Sequence, residues 1–273
     1  DVTAVATDWN WSAAIDAQGD VWIWGDLPDE FASAPGELLQ LELPGPAVRV
    51  VTAFNHLLIL MQDGAVFAAG NNRSGQLGDG DVVPSAVPVQ VTGISHATDI
   101  AAGSHFSVAL LKDGQVLAWG DNFSGQLAQG EEQAFLTVPT AVDLPGPASG
   151  VAAGEQHVLA LLDDGRVFGW GDDSRMQATG KFEGPAVVRT PTDVGLSNIS
   201  AVNANSYASV AFTSAGEALN WGQWRLGSAI TSMTPQVLSA PGSTVWADSS
   251  ESTTFAVAAD GRGHAWGTNY YGL

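Results

Sequence analysis

Short apolar runs of four or five residues, separated by turn residues, recur along the whole chain. Runs such as Val108 to Leu111 and Val158 to Leu162 have the length of strands rather than of helices. An Asp-Gly pair and a second apolar run follow many of them, as at Asp63-Gly64 and Asp113-Gly114. Because glycine adopts the positive φ that a two-residue hairpin turn needs, this pattern predicts a β-hairpin with a two-residue turn in each segment.

The second run of each hairpin ends in a repeated dipeptide, and a Pro-Val element and an AAG-like run precede each hairpin. The dipeptides are Trp24-Gly25, Trp119-Gly120, Trp170-Gly171, Trp221-Gly222 and Trp266-Gly267, with Ala69-Gly70 in the same role. Successive glycines are 45, 50, 51, 51 and 45 residues apart. Six units of four strands, without an amphipathic helix pattern, predict an all-β fold, a β-propeller.

The repeat sets the domain organisation that we predict. A single β-propeller domain spans residues 1–273, with repeat units at approximately 1–35, 36–80, 81–130, 131–180, 181–228 and 229–273. The chain begins at the second strand of a unit and stops at YYGL, so six blades with one three-stranded blade are favoured. Seven-bladed closure and a crop of a longer array are the alternatives. Small residues beside the motif tryptophans predict that the indoles pack between sheets.

Charge and composition narrow the classes of partner. Lys+Arg number 9 against 29 Asp+Glu, a net charge of −20, although only 14% of residues are charged. Without a dense basic patch, nucleic acid and anionic membrane surfaces are excluded as partners, whereas a basic protein fits. No apolar stretch reaches the 18 or more residues of a membrane span, so we expect no membrane insertion.

Catalytic and metal-binding patterns are missing from the sequence. There is no cysteine, and the five histidines do not have metal-ligand spacing. Nucleophile elbows, zinc-protease helices and phosphate-binding loops are also absent. The sequence therefore predicts a protein that is not an enzyme and that holds no cofactor and no metal.

Two stretches, IAAGSHFSVALLKDGQVLAWGDNFSGQLAQG (100–130) and VFAAGNNRSGQLGDG (66–80), closely resemble the repeat of the regulator of chromosome condensation family. The resemblance covers essentially the whole chain. Asp8, Asn205 and Ser250 replace the glycine of the AAG run, and we expect Asp and Asn to keep a left-handed bend there. The resemblance implies a β-propeller whose loops bind proteins, as in a small GTPase exchange factor and bacterial β-lactamase-inhibitor proteins. The DDSRMQ stretch after Gly171 is similar to the acidic loop of such inhibitors.

A four-stranded meander places the loop after the AAG run and the loop after Trp-Gly at the same end of each sheet. Aromatic residues and arginine among polar groups are typical of protein-binding hot spots. The candidate partner-binding residues in these loops are Trp9, Asn10, Phe54, His105, Asp121, Phe123, Asp172, Asp173, Arg175, Tyr207, Trp224, Arg225, Tyr270 and Tyr271.

We interpret the chain as a rigid, non-enzymatic propeller that presents an aromatic and acidic face to a protein partner, with inhibition of that partner as one form of the function. The alternative is a structural or adhesive repeat domain of a larger surface protein. An enzyme with its site in a central channel is less favoured. A secreted or cell-surface location is expected, with the cytoplasm as the alternative.

Overall fold

Antiparallel strands make up almost all of the regular structure. The computed structural model describes residues 1–8, 10–31, 36–130, 133–181, 184–222, 224–226, 229–231, 234–238, 244–249, 253–258 and 260–267. Within these ranges the helical content is a single 3-10 turn, Asp29–Phe31. The prediction of an all-β fold is confirmed.

The strands form small sheets in chain order. Sheet 1 contains β1 (Val2–Asp8), β2 (Trp11–Asp16), β3 (Val21–Gly25) and β4 (Leu39–Leu41). Sheet 2 contains β5 (Ala47–Thr52), β6 (His56–Met61), β7 (Val66–Gly70) and β8 (Ser85–Gln90). Sheet 3 contains β9 (Ala97–Ala102), β10 (Phe106–Leu111), β11 (Val116–Asp121) and β12 (Phe135–Ala141).

The second half of the chain repeats this arrangement. Sheet 4 contains β13 (Ala148–Ala153), β14 (His157–Leu162), β15 (Val167–Asp172) and β16 (Val187–Asp193). Sheet 5 contains β17 (Ile199–Ala204), β18 (Ala208–Thr213), β19 (Ala218–Gly222) and β22 (Gln236–Leu238). Between β19 and β22 the chain forms a separate hairpin of β20 (Trp224–Leu226) and β21 (Ala229–Thr231). Sheet 6 contains β23 (Thr244–Ser249), β24 (Thr253–Ala258) and β25 (Gly263–Gly267).

These sheets fall into two compact units. Unit 1 is Asp1–Phe123 with Glu131–Val142, and it holds sheets 1 to 3. Unit 2 is Ser124–Gly130 with Asp143–Leu273, and it holds sheets 4 to 6. The single domain over residues 1–273 remains a prediction.

The grouping of strands within a repeat differs from the sequence-based one. The Pro-Val strand was expected to open each unit, ahead of the AAG run. In the structure β12, which contains Pro139, pairs with β11 before it, and β8 pairs with β7. The Pro-Val strand therefore closes the preceding sheet, and the chain opens on the first strand of a complete four-stranded sheet.

The hairpin turns are one residue longer than predicted. At Asp63-Gly64 the nitrogen of Gly64 donates to the carbonyl of Met61, and the nitrogen of Met61 donates to the carbonyl of Ala65. Gly64 has a φ of 83°, whereas Asp63 is not in the left-handed region. This is a three-residue turn with a glycine bulge. The Asp63 carboxylate accepts a hydrogen bond from the nitrogen of Ala65 at 3.0 Å, which explains why aspartate precedes the glycine.

The hydrophobic cores lie between neighbouring sheets. In β6 every residue from His56 to Met61 is buried, so this strand buries both faces. Leu57 and Ile59 pack in a cluster with Ile23 of sheet 1, and Leu58 packs in a second cluster with Ile100 of sheet 3. In unit 2 a third cluster joins sheets 4 and 5. Sheets buried on both faces are the arrangement that the repeat predicted.

Polar contacts as well as packing connect the sheets. The carbonyl oxygen of Gln76, in the loop after β7, accepts hydrogen bonds from the Trp119 indole at 2.9 Å and from the Ser107 hydroxyl at 2.8 Å. In unit 2 the Trp170 indole donates in the same way to the carbonyl of Gln126 at 2.9 Å. We call this contact the carbonyl clamp. It adds a hydrogen bond to the predicted packing role of Trp119 and Trp170, whereas the buried indole nitrogen of Trp221 has no hydrogen-bond partner.

Trp24 departs from that prediction. Its side chain is 36% exposed, whereas Trp119, Trp170 and Trp221 are fully buried. Each of those three indoles lies one repeat after a loop that contains a buried glutamine, and Trp24 lies in the first repeat. In sheet 2 alanine takes the place of the indole, and Ala69 packs in one cluster with Phe31 of the preceding loop.

The clamp predicts a difference between two conservative substitutions. Trp119→Phe removes a buried indole donor and leaves the Gln76 carbonyl with one partner fewer, so the free energy of unfolding should fall by about 1–3 kcal/mol. Trp24→Phe, at an exposed position, should change it by less than about 0.5 kcal/mol. Urea denaturation followed by circular dichroism measures both. Equal losses in the two variants would contradict the clamp.

Candidate functional site

Two loops adjoin at one end of each sheet. The residue after each Trp-Gly or Ala-Gly donates its backbone N–H to the loop that follows the first strand: Asp26 to Asn10, Asn71 to Asn55, Asp121 to His105, and Asp172 to Gln156. Each motif glycine allows this approach, because a Cβ on Gly120 would lie 2.5 Å from the carbonyl oxygen of His105. The predicted proximity of these loops is confirmed within sheets 1 to 4.

Glycine is required in the AAG run for a different reason from the one expected. Neither Gly154 nor Asn205, which replaces it in the next repeat, is in the left-handed region. A Cβ on Gly154 would instead lie 2.3 Å from the His157 ring and 2.2 Å from the carbonyl of Asn205. Asn205 stands in a repeat where alanine, Ala208, replaces that histidine, and its side chain accepts hydrogen bonds from the nitrogens of Tyr207 and Ala208. Close packing, and not a bend, selects glycine here.

The loops after Trp-Gly begin with a turn that is built the same way in three repeats. A side-chain oxygen accepts a hydrogen bond from the backbone nitrogen two residues later: Asn71 accepts from Arg73, Asp121 from Phe123 and Asp172 from Ser174, at 3.0–3.3 Å. A buried glutamine fixes the next turn, because its side-chain oxygen accepts from the nitrogen of Ser74, Ser124 or Arg175 at 2.8–3.0 Å. The backbone around each tip is therefore held by side chains.

The residues at the centres of these turns point away from the fixed backbone. We call Arg73, Phe123 and Ser174 the tip residues; all three are exposed, and Phe123 is 83% exposed. The neighbours Asn72, Asn122 and Asp173 are buried. The fold therefore fixes where each tip lies but leaves its chemistry free to differ between repeats.

In unit 1 an aromatic pair adjoins the tips. The Phe54 ring is 53% exposed and meets the His105 ring edge-on at 5.9 Å between centroids. The Asn55 amide contacts the Nδ1 atom of His105 at 3.3 Å, and its oxygen accepts from the Gln76 amide at 3.4 Å. Burial lowers the pKa of His105, and the negative charge of Asp121 opposes that shift. This apolar and neutral cluster is positioned by the glutamine that also forms the clamp.

In unit 2 a cation–π pair holds an arginine in place. The Arg175 guanidinium lies 4.2 Å from the centroid of the Tyr207 ring. The two Asp172 carboxylate oxygens accept from the nitrogen of Ser174 and from the Gln177 amide. Sequence reasoning had named Asp172, Arg175 and Tyr207 separately, and the structure brings Arg175 and Tyr207 together.

Asp173 is a correction to the predicted site, since its side chain is buried, with 5% exposure. Its carboxylate accepts hydrogen bonds from the nitrogens of Ala178 and Thr179 and from the Thr179 hydroxyl. It fastens its own loop and does not face solvent. Asn10 is exposed as expected. Trp9, Tyr270 and Tyr271, and the side chains of Trp224 and Arg225, lie outside the described residues.

Two buried histidines stand behind the loops. The His56 ring contacts the Ser107 hydroxyl at 3.0 Å, and the His157 ring contacts the Ser209 hydroxyl at 2.9 Å, both through Nε2. Because each serine donates to a glutamine carbonyl, Gln76 or Gln177, each Nε2 must carry the donated proton. Burial lowers the pKa of His56 to about 3 and that of His157 to about 4. Both rings are therefore neutral structural donors.

In the described part of the chain, no group of three or more His, Asp or Glu side chains could hold a metal ion. No helix within those ranges has the length and apolarity to cross a membrane.

Comparison with known proteins agrees with the repeat. The family model of the regulator of chromosome condensation (RCC1) repeat matches residues 63–110 and 113–161, and a second RCC1 repeat model matches 97–126 and 149–177. The chain therefore contains RCC1 repeats between residues 63 and 177. Protein pim1 of Schizosaccharomyces pombe is 31% identical over 252 residues, which cover 81% of this chain and 46% of pim1. The regulator of chromosome condensation of Drosophila melanogaster is 36% identical over 110 residues, which cover 40% of this chain and 20% of that protein.

Solved structures show the same fold. Human WBSCR16 superposes with a TM-score of 0.88 at 20% identity, covering 100% of this RCC1 repeat chain and 77% of that structure. Yeast RCC1 (Prp20), solved bound to Kap60, gives a TM-score of 0.82 at 21% identity, covering 97% and 70%. The sheets are thus blades of a β-propeller. The chain spans less than half the length of the curated relatives it matches.

The buried histidines predict acid sensitivity. A histidine with a pKa near 6.5 in the unfolded chain and about 3 or 4 in the folded chain binds its proton mainly when unfolded. The free energy of unfolding therefore has its full value above pH 6.5. Below pH 6.5 it decreases by about 1.4 kcal/mol per pH unit for each histidine. Urea denaturation between pH 7 and pH 4.5 measures this slope.

One variant isolates the contribution of a single histidine. His157→Gln keeps an amide donor for Ser209 and should reduce the slope by about 1.4 kcal/mol per pH unit. His96→Asn replaces an exposed histidine at a left-handed position that asparagine tolerates, so the wild-type slope is expected. An unchanged slope in His157→Gln would rule out the neutral buried ring.

Proposed function

We propose that this chain is a non-enzymatic protein-binding propeller, and that the loops after its Trp-Gly motifs contact the partner. The observation that carries the proposal is Phe123, whose ring is 83% exposed while the residues on both sides of it are buried. An exposed aromatic ring on a fixed backbone is a suitable anchor, because little conformational entropy is lost when it becomes ordered on binding.

Each unit supplies further contacts of this kind. In unit 1 Phe54 offers a half-exposed ring beside neutral His105. In unit 2 Arg175 is held against Tyr207, so its guanidinium is positioned before a partner arrives. Aromatic residues and arginine are enriched in the energetic centres of interfaces.

The class of partner follows from the charge and from relatives. A net charge of −20 favours association with a basic protein surface over long distances. One solved neighbour, Prp20p of Saccharomyces cerevisiae, binds Gsp1p and histones, and it is 24% identical to this chain with a TM-score of 0.79. Histones are basic, and they are the first probe; Gsp1p is the second. Inhibition of the bound partner is a further part of the proposal.

Phe123→Ala should weaken binding without weakening the fold. We expect a loss of about 30-fold in affinity, which corresponds to a hot-spot contribution of about 2 kcal/mol. The free energy of unfolding should stay within about 0.5 kcal/mol of wild type, because the ring makes few contacts. Isothermal titration with purified histones or Gsp1p, or with a partner isolated from the native source, measures the affinity.

The matched control is Val87→Ala, which truncates a side chain that is 68% exposed in the outer strand β8. It should leave the affinity unchanged. Equal affinities of the wild type and Phe123→Ala for a partner that binds the wild type would refute the proposed contact surface.

A further inference from the structure

In sheet 4 an arginine beside the hairpin turn contacts an aspartate and an aromatic ring of its own repeat. The Arg166 Nε–H donates to the Asp164 carboxylate at 2.8 Å, and the guanidinium carbon lies 5.5 Å from the centroid of the Phe168 ring. A carboxylate and the face of an aromatic ring are two groups that attract a guanidinium. The turn aspartate and the ring of the next strand therefore form a guanidinium-binding pair in this sheet.

Sheet 2 has the same aspartate and ring, but alanine takes the place of the arginine. The stretch DGRVF (164–168) corresponds to DGAVF (63–67). In both turns a carboxylate oxygen accepts from the backbone nitrogen two residues later, at 3.1 Å for Arg166 and at 3.0 Å for Ala65. Asp63 is exposed and forms no ion pair among the described residues. The groups that hold Arg166 in sheet 4 are thus present in sheet 2 without a guanidinium from the same position.

Two other hairpins show that this combination is particular to sheet 2. In sheet 6 Arg262 is at the position of Ala65, and its Nε atom lies 3.6 Å from the Asp260 carboxylate. In sheet 3 the same position has Gln115, and Leu117 replaces the ring. Among the hairpins of sheets 2, 3, 4 and 6, the one in sheet 2 has the carboxylate and the ring together with a short, uncharged residue between them.

A cavity of about 330 Å³ lies at this place in unit 1. Asp63 and Phe67 line it together with Met61, at the end of β6, and with Pro44 and Pro46, in the connection between β4 and β5. Its volume is at the lower end of the range for ligand pockets, about 300–1,000 Å³, so it suits one side chain. The apolar residues suit the methylene stem of a long basic side chain, and the carboxylate suits its charged end.

We propose that this cavity binds an arginine side chain of a protein partner, whose guanidinium contacts the Asp63 carboxylate and the Phe67 ring. The contacts are those that Arg166 makes within sheet 4. The net charge of −20 favours the approach of a cationic group. The cavity lies at the end of β6, whereas Phe54 precedes its start, so this contact is separate from the partner-binding loops and goes beyond the function proposed above.

Titration with N-acetyl-arginine amide tests the site, with the backbone N–H signals of Gly64 and Ala65 followed by NMR. Both signals should shift, with a Kd on the order of 1 mM, because a single exposed guanidinium contact is weak. N-acetyl-citrulline amide has nearly the same shape without the charge and should not shift them. N-acetyl-lysine amide should bind about threefold more weakly, since an ammonium group neither stacks on the ring nor forms a fork of hydrogen bonds. Equal affinities of the arginine and lysine compounds would overturn the proposal.

Two substitutions in the same kind of turn separate the cavity from general charge attraction. Asp63→Asn removes the charge but keeps an oxygen for the Ala65 nitrogen, so the fold should be unchanged and the affinity should fall about fivefold. The matched control is Asp113→Asn, since Asp113 accepts from the Gln115 nitrogen in the same way. It should leave the affinity unchanged. The same affinity in the two variants would contradict the proposed site.

Free arginine distinguishes a protein partner from a small metabolite. The acidic chain repels the carboxylate of the free amino acid, which the blocked compound lacks, so free arginine should bind about threefold more weakly. Tighter binding of free arginine would assign the cavity to the amino acid and overturn the proposed partner.

An arginine supplied by the chain itself gives a test without any ligand. In Ala65→Arg the new side chain should pair with Asp63 as Arg166 pairs with Asp164, and the equilibrium constant for unfolding should be about threefold lower than in Ala65→Gln. The difference should disappear when each change is combined with Asp63→Asn. No difference between the two single variants, or a difference that persists in the Asp63→Asn background, would refute the pairing. Neither measurement involves the loops that contact the partner in the function proposed above.

Discussion

Side-chain hydrogen bonds to the main-chain carbonyl of a buried glutamine join neighbouring sheets within each unit. At Trp221 the buried indole nitrogen has no hydrogen-bond partner, although Ser209 donates to the Gln177 carbonyl. The fully buried Trp119 side chain, in contrast, donates its indole N–H to the Gln76 carbonyl. Each group therefore removes the desolvation cost of the other, and the contact joins a loop of one sheet to a strand of the next. Sheets that interact only with neighbours gain cooperativity from such contacts.

Gln76 also connects the buried core to the exposed loops. The main-chain oxygen of Gln76 forms the clamp, while its side chain fixes the nitrogen of Ser74 and contacts Asn55, which in turn contacts His105. A buried residue of the structural repeat thus positions the exposed Arg73 and the aromatic pair of Phe54 and His105. Stability and presentation of the loops are coupled through one side chain, so the tip can change its chemistry without loss of the scaffold.

The sequence predicted the hairpins, because contacts between residues close in the chain form them. Alternating runs and Asp-Gly pairs predicted the hairpins, and the Asp63 carboxylate shows why the pair is Asp-Gly. The Pro-Val strand was grouped wrongly because it is near the next sheet in sequence: residues 142–147 join β12 to β13, whereas residues 122–134 join β11 to β12. The longer connection stays within the sheet, and chain distance alone does not reveal this.

The sequence also did not predict which individual site residues are buried, because burial depends on contacts within the folded loop. Asp172 and Asp173 are adjacent and chemically identical, yet Asp173 turns inward to accept from Ala178 and Thr179. The signal that could have separated them is the alignment of the three turns, since Asn72 and Asn122 occupy the same buried position. Burial raises the pKa of Asp173, and the hydrogen bonds from Thr179 and Ala178 oppose that shift because they replace the water that burial removes. A fold that assigns one carboxylate to the loop interior and leaves the next position to solvent can vary its contact surface residue by residue.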